Sequence, residues 1–128
     1  MDINTVLLVD DDADIRAIGE IALSQVGGWT VTTAAGGEEA VPAARATRPD
    51  VILLDMMMPG LDGMQTLAAL RADDETAAIP VLFMTAKLLP SEIGAYLDAG
   101  ARGVIAKPFD PLTLPDEIRA ALDAEQAA

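Results

Sequence analysis

The residues of this chain that offer the most chemistry are acidic and lie near its start. Asp10, Asp11, Asp12 and Asp14 directly follow the apolar run 6–9. Their spacing suits the first half of an EF-hand calcium loop, but the glycine and the glutamate that such a loop requires further on are missing. Asp12 and Asp14 are predicted to cap a helix and to occupy its first turn. Asp10 and Asp11 are therefore the candidates for a functional site.

The composition restricts what such a site can bind. The formal net charge of −13 disfavours direct contact with nucleic acid or anionic lipid. The chain has no cysteine and no histidine, so any metal must be held by oxygen ligands. No apolar run approaches the ~20 residues of a membrane span, and no signal-peptide pattern is present, so we expect a cytoplasmic protein without membrane insertion.

Short apolar runs along the chain predict the strands of a parallel sheet that is buried on both faces. The length fits one domain over residues 1–128, with a core at about 4–122 and a short tail at 123–128. Hydrophobic residues make up 52% of the chain, which is enough for a sizeable core. The five predicted strands are 6–9, 31–34, 51–54, 81–84 and 103–106.

Helical stretches are predicted between these strands. The first places Ile15, Ile18, Ala22 and Val26 on one face and ends at the glycine pair 27–28. The others are expected at about 37–47, at about 63–72, from about 91 onwards, and from 114 to about 124. Because strand and helix alternate five times, right-handed crossovers predict a doubly wound α/β fold with five parallel strands and five helices.

This fold brings the polar residues that follow the strands to one edge of the sheet, where doubly wound proteins bind their ligands. These residues are Asp10, Asp11, Asp55, Thr85 and Lys107. Carboxylates that gather in this way repel one another and call for a cation, and an oxygen-only ligand set favours Mg²⁺ with a phosphate oxygen as a further ligand. Lys107 and Thr85 can bind phosphoryl oxygens, and an aspartate can form an acyl phosphate.

The motifs around these residues resemble the receiver domain of two-component response regulators, the CheY-like family. The similar motifs are VDDD at 9–12, LDMMMPGLDG at 54–63, MTA at 84–86 and KPF at 107–109, and the match covers residues 4 to 122. The resemblance implies a flavodoxin-like (β/α)5 fold with strand order 2-1-3-4-5.

Position by position, the resemblance implies a role for each site residue. Asp55 would be the phosphoacceptor, and Mg²⁺, or Mn²⁺ as a substitute, would be bound by Asp11 directly, by Asp10 through water and by the backbone carbonyl of Met57. Lys107 would pair with the phosphoryl group.

The resemblance also implies that Thr85 shifts toward the phosphoryl group after phosphorylation, and that Pro108 follows a cis peptide bond. The phosphoryl donor would be a phosphohistidine on a sensor histidine kinase or a phosphotransfer protein. The protein would catalyse only its own phosphorylation and dephosphorylation, and would switch a surface of the fourth helix, fifth strand and fifth helix toward a downstream target or effector domain.

Some positions depart from the family pattern or from regular structure. Val104 occupies a place where the family often has an aromatic switch residue, and a stiff valine is too short for that role. Met57 and Lys87 are predicted to influence the lifetime of the acyl phosphate. Pro42 falls past the first turn of the second helix and is expected to kink or delay it.

Other functions remain open from the residues alone. Asp10 and Asp12 form the Asp-x-Asp pattern of haloacid-dehalogenase-like phosphatases, although Asp14 stands where such enzymes have threonine. A receiver that is never phosphorylated and acts only as a docking surface is a second alternative. A flavin or nucleotide module is disfavoured, because no glycine-rich loop follows the first strand. The chain could be a stand-alone protein or an excised domain.

Overall fold

A computed structural model describes residues 2–127 and contains one parallel sheet with the strand order β2-β1-β3-β4-β5. The strands are β1 (Thr5–Val9), β2 (Thr30–Ala34), β3 (Val51–Asp55), β4 (Val81–Thr85) and β5 (Gly103–Ala106). The helices are α1 (Ala13–Ile21), α2 (Gly37–Thr47), α3 (Gly63–Ala72), α4 (Pro90–Asp98) and α5 (Leu114–Ala127). The predicted fold class and strand order are confirmed.

The sheet is covered on both faces, which explains why its central strands are unbroken apolar runs. On one face, alternate residues of β1, β3 and β4 pack against side chains of α2, α3 and α4. On the other face, the intervening strand residues pack against α5 and the segment that follows α1. Phe83 of β4 and Tyr96 of α4 make an edge-to-face contact with ring centroids 5.4 Å apart.

The register of the strands aligns their carboxyl ends at one edge. Val9 pairs with Leu54 across β1 and β3, Asp55 pairs with Met84, and Thr85 pairs with Ala106. Residues that end or directly follow these strands are therefore neighbours in space. The predicted convergence of polar residues follows from this register.

The prediction for the first helix was wrong in part. Ile18 and Val26, which the helical spacing placed inward, are 43% and 49% exposed. The buried face instead contains Gly19, where an added Cβ would lie 2.6 Å from a methyl carbon of Leu8. A π-helical turn at Ala22–Val26 changes the phase of the helix, so that Leu23 is fully buried.

The other helices lie close to their predicted positions. Helices α2 and α3 have the predicted bounds, and α2 is not delayed by Pro42, since it begins at Gly37. Helix α5 begins at Leu114 as predicted and extends to Ala127, beyond the expected end near 124. In the described range 2–127, none of the helices combines the length and apolar character that crossing a bilayer requires.

Candidate functional site

Two buried aspartates and one exposed aspartate meet at the carboxyl edge of the sheet. Asp10 directly follows β1 and is 0% exposed, and Asp55 ends the neighbouring strand β3 and is 4% exposed. Asp11 is exposed beside them. One oxygen of each carboxylate lies within 4.8 Å of the other two, so the three side chains can share one small cation.

Lys107 reaches this acidic cluster from the loop that follows β5. Its Nζ atom lies 2.8 Å from Oδ2 of Asp10 and 3.0 Å from Oδ1 of Asp55. The long lysine side chain spans the end of β4, because β5 is the outer strand on that side of the sheet. The peptide bond between Lys107 and Pro108 is cis, as expected.

The pKa values of the buried groups reflect a conflict between burial and charge. Burial raises the pKa of Asp55, and the nearby charge of Asp10 raises it further, although the hydrogen bond from Lys107 acts in the opposite direction. Burial lowers the pKa of Lys107, but its bonds to both aspartates outweigh this effect, and the pKa is raised overall. The lysine is therefore protonated at neutral pH and compensates only part of the negative charge.

A cavity of about 340 Å³ opens at this edge, and its wall includes every side chain predicted for the site. Thr85 at the end of β4 is 2% exposed, and its hydroxyl oxygen accepts a hydrogen bond of 3.0 Å from the backbone nitrogen of Lys87. Met57 lies at the rim with a side chain that is 63% exposed, and its backbone nitrogen is 3.4 Å from Oδ1 of Asp55. The space beside Asp55 is large enough for a phosphoryl group.

The loop after β3 is shaped by glycines at specific places. Gly60 has a φ of 77°, a left-handed conformation that favours glycine. At Gly63 an added Cβ would lie 2.8 Å from Cα of Met56, so only glycine allows α3 to start this close to the strand end. Asp62 and Gln65 form a capping box that fixes the start of α3. This loop holds the backbone after Asp55 against the sheet.

Asp12 is engaged as a helix cap, as predicted. Its Oδ1 accepts hydrogen bonds from the backbone nitrogens of Asp14 at 2.8 Å and Ile15 at 3.3 Å. An aspartate that caps a helix in this way is poorly placed to act as a nucleophile or general acid. These capping hydrogen bonds therefore argue against the phosphatase alternative, which needs Asp12 for catalysis.

One contact at the site was not predicted from the sequence. Arg16, on the first turn of α1, donates a hydrogen bond of 2.7 Å from its guanidinium to the backbone carbonyl of Asp10. Nothing in the local sequence distinguishes this arginine from a solvated residue on an exposed helix face. Its partner becomes visible only when the loop after β1 is folded.

The fold and these residues define a doubly wound α/β protein with an acidic site at the carboxyl edge of its sheet. A model of the response regulator receiver domain matches residues 6–119. The chain therefore belongs to the receiver domain family of response regulators in two-component systems, and its role is in signalling.

Individual relatives and solved structures agree with this assignment. The chain is 40% identical over 117 residues to the transcriptional regulatory protein CseB of Streptomyces avermitilis, covering 91% of the chain and 48% of that protein. It is 37% identical over 117 residues to the DNA-binding response regulator MtrA of Mycobacterium tuberculosis, covering 91% of the chain and 50% of MtrA. The chain spans about half the length of the curated relatives it matches.

Solved receiver structures are similar in fold along almost the whole chain. The chemotaxis protein CheY4 of Vibrio cholerae superposes with a TM-score of 0.85 at 35% identity, covering 94% of this chain and 100% of CheY4. A response regulator from Desulfuromonas acetoxidans superposes with a TM-score of 0.82 at 31% identity, covering 94% of this chain and 98% of that one.

Proposed function

We propose that this chain accepts a phosphoryl group on Asp55 from a phosphohistidine of a sensor histidine kinase or a phosphotransfer protein. In this step a carboxylate oxygen of Asp55 attacks phosphorus, the bond between phosphorus and the histidine nitrogen breaks, and the imidazole leaves with the bonding electron pair. The observation that carries the proposal is the position of Asp55, which lies beside two further carboxylates and 3.0 Å from Lys107.

The residues of the site fit a divalent metal ion. Three carboxylates face one ammonium group, so two negative charges are uncompensated when all the groups are ionised. Their oxygen donors suit Mg²⁺, with Mn²⁺ as a substitute. We propose that Asp11 and Asp55 bind the ion directly, that Asp10 binds it through water, and that the Met57 backbone carbonyl completes the protein ligands. When bound, the ion would neutralise the oxygens of the transferred group.

The chain's own residues supply the remaining contacts to the phosphoryl group. We propose that Lys107 turns from the two aspartates to a phosphoryl oxygen, which its flexible aliphatic stem and compact charge allow. Thr85 accepts its hydrogen bond through its oxygen, which leaves the hydroxyl proton available for a phosphoryl oxygen. We propose that this interaction draws Thr85 and the following loop inward.

We propose that the loop after β4 carries the signal outward. Val104 is half-buried on β5 and has no ring that could change its exposure. Leu88 and Leu89, which follow Thr85 by only a few residues, are 40% and 65% exposed. A shift of this loop would therefore change the apolar surface beside α4, β5 and α5. This is the surface we propose for a downstream target or effector domain, in line with the regulatory names of the relatives.

The phosphoryl donor must approach the open side of the cavity, where an apolar groove adjoins the acidic site. Ile15 and Ile18 of α1 form one wall, and Pro108, Phe109 and Pro111 form the other, around a volume of about 480 Å³. A helix that presents a phosphohistidine could bury an apolar side chain here. We propose this groove as the contact for the donor protein. The cytoplasmic location and the single-domain division of residues 1–128 stay predictions.

Mass spectrometry after treatment with acetyl phosphate and Mg²⁺ tests this function. The protein is expected to gain one phosphoryl group, which an Asp55→Asn variant cannot carry. Asp74→Asn is a matched control, because Asp74 is an exposed aspartate away from this edge. Label that persists in the Asp55→Asn protein, or steady turnover of a phosphate ester that requires Asp12, would contradict the proposal.

A further inference from the structure

The polar groups of Asp10 are all engaged in hydrogen bonds. Its backbone nitrogen donates to the carbonyl oxygen of Ala34 at 3.1 Å. Its carboxylate accepts from the backbone nitrogen of Asp12 at 2.9 Å and from Nζ of Lys107 at 2.8 Å. Its carbonyl oxygen accepts from the guanidinium of Arg16 at 2.7 Å. Asp10 is therefore fixed in position from four directions.

Asp11 differs, although it is the next residue. Its side chain is exposed, and within the described range 2–127 its carboxylate accepts no hydrogen bond. The placement of this carboxylate depends on the backbone on either side of it, and the peptide group between Asp10 and Asp11 is held by the contact with Arg16. A change in that peptide would move the Asp11 carboxylate away from Asp10 and Asp55.

Arg16 links the two ends of this loop. Its backbone nitrogen donates to the carbonyl oxygen of Asp12 at 3.0 Å, at the start of α1, and its guanidinium donates to Asp10, at the end of β1. The first turn of the helix and the end of the strand are thus held together by one side chain. A guanidinium provides this better than an ammonium, because its donors have a rigid planar arrangement.

We propose that Arg16 is a positioning residue for the metal site, and that its hydrogen bond to the Asp10 carbonyl holds the Asp11 carboxylate where a divalent cation can bind. This inference rests on the proposed function, since it concerns the ion that the carboxylates of that site would bind. Arg16 itself does not contact the ion. It acts through the Asp10–Asp11 peptide, as outer residues do in other metal sites.

Charge and position predict opposite effects for the loss of Arg16. A positive charge near the site repels a cation, so its removal by charge alone would make Mg²⁺ bind more tightly. Loss of the hydrogen bond would remove the contact that holds the carbonyl of the Asp10–Asp11 peptide and would make Mg²⁺ bind more weakly. The sign of the change in affinity therefore separates a positioning role from a purely electrostatic one.

Calorimetric titration of Mg²⁺ into the wild-type protein and its variants provides the test. We expect Arg16→Met to weaken Mg²⁺ binding by about 10- to 100-fold, the range found for residues that orient metal ligands. Arg16→Lys should recover part of the affinity, because it keeps the charge and can donate one hydrogen bond. Arg48→Met is the matched control, because Arg48 directly follows α2 and pairs with Glu75. This variant should bind Mg²⁺ like the wild type.

The outcomes distinguish this inference from the proposed function. If the wild-type protein binds no Mg²⁺, the proposed function and this inference both fail. If the wild type binds Mg²⁺ and Arg16→Met binds it equally well or more tightly, only the positioning role is overturned. Thermal unfolding of each variant shows whether it is folded. If Arg16→Met does not fold, weaker binding by Arg16→Lys than by Arg48→Lys supports the role, and equal binding overturns it.

Discussion

Asp50 directly precedes β3 and Asp55 ends it, but the two carboxylates lie in opposite electrostatic environments. Asp50, at the amino end, accepts hydrogen bonds from the backbone nitrogens of Asn4 at 2.8 Å and Thr5 at 3.0 Å, and these bonds lower its pKa. Asp55, at the carboxyl end, has a raised pKa because it is buried, with Asp10 nearby. The hydrogen bonds of the first carboxylate stabilise the fold, whereas burial disfavours the charged form of the second. Such costs are typical of functional sites.

The cations of the two edges differ in the same way. Arg71 of α3 donates hydrogen bonds to the carbonyl oxygens of Ala77, Ile79 and Gly100 at 3.1, 2.9 and 3.1 Å, and so ties together the loops before β4 and β5. The Nζ atom of Lys107 instead forms ion pairs with two carboxylates, Asp10 and Asp55, which can exchange it for another cation. The cation at the amino edge is therefore held by fixed backbone acceptors, whereas the cation at the carboxyl edge is held by exchangeable ion pairs.

The largest expected effect is a difference between Lys107 and Arg71 in the rate of phosphorylation. Lys107→Met should slow labelling by acetyl phosphate about 100-fold, because the charge that stabilises the transferred oxygens is lost. Arg71→Met should leave the labelling rate unchanged and lower the free energy of unfolding by about 2 kcal/mol, because three carbonyls lose their donor. Labelling rates and denaturant unfolding of both variants check this. Equal labelling rates in the two variants would remove the distinction between the edges.

The two aspartates should differ in the sign of their effect on stability. Asp50→Ala is expected to lower the free energy of unfolding by about 2 kcal/mol, since a charged acceptor of several hydrogen bonds is removed. Asp55→Asn is expected to raise it by about 1 kcal/mol in the absence of Mg²⁺, because a buried carboxylate beside Asp10 becomes neutral. Urea unfolding at neutral pH measures both values. A loss of stability in both variants would show that Asp55 is not held at a cost.

The contributions of Asp50 and Asp55 to stability should also differ in their pH dependence. The pKa of Asp50 is below its ordinary value of 3.8, so its stabilisation is present above pH 3.8 and is lost as the pH falls through the lowered pKa. The pKa of Asp55 is above 3.8, so its destabilisation is present at neutral pH and disappears as the pH falls through the raised pKa toward 3.8.

Unfolding curves over this pH range, without Mg²⁺, should therefore show two separate effects. As the pH is lowered, the difference in stability between the wild type and Asp55→Asn should disappear before the pH reaches 3.8. The difference in stability between the wild type and Asp50→Ala should disappear only after the pH has fallen below 3.8. Closure of both differences in one pH window would be inconsistent with the opposite environments.

The smallest expected effect concerns the rim of the cavity. Met57→Asn should speed the loss of the phosphoryl group by a few-fold, because an exposed apolar side chain beside Asp55 is replaced by one that can hold water. Met57→Leu keeps an apolar side chain and serves as the control. The decay of the labelled protein, followed by mass spectrometry, measures the lifetime. Equal lifetimes in the two variants would exclude Met57 as a shield against hydrolysis.

The sequence predicted the carboxyl edge better than the rest of the molecule, for a physical reason. Strands such as β3 and β4 are buried on both faces and therefore read as unbroken apolar runs, so their ends are visible in the sequence. Asp55, Thr85 and Lys107 stand at those ends, and the register of a parallel sheet brings them together. Pattern alone was sufficient for these residues.

Contacts that join distant or irregular segments could not be predicted in this way. The bonds of Asp50 reach the start of β1, 45 residues away, and no periodicity signals them. The phase of α1 depends on a π-helical turn and on the close approach of Gly19 to Leu8, which helical spacing does not reveal. The contact of Arg16 could not be predicted for the same reason, since its partner is a backbone carbonyl.

The cation site at the carboxyl edge is tested most directly by the stability of the protein as a function of Mg²⁺ concentration at constant ionic strength. If the three carboxylates of Asp10, Asp11 and Asp55 form a cation site, the free energy of unfolding should rise with Mg²⁺ and gain about 2.7 kcal/mol at 100 times the dissociation constant. An Asp11→Asn variant should show a much smaller gain. A wild-type stability that does not change with Mg²⁺ would show that these carboxylates do not form a cation site.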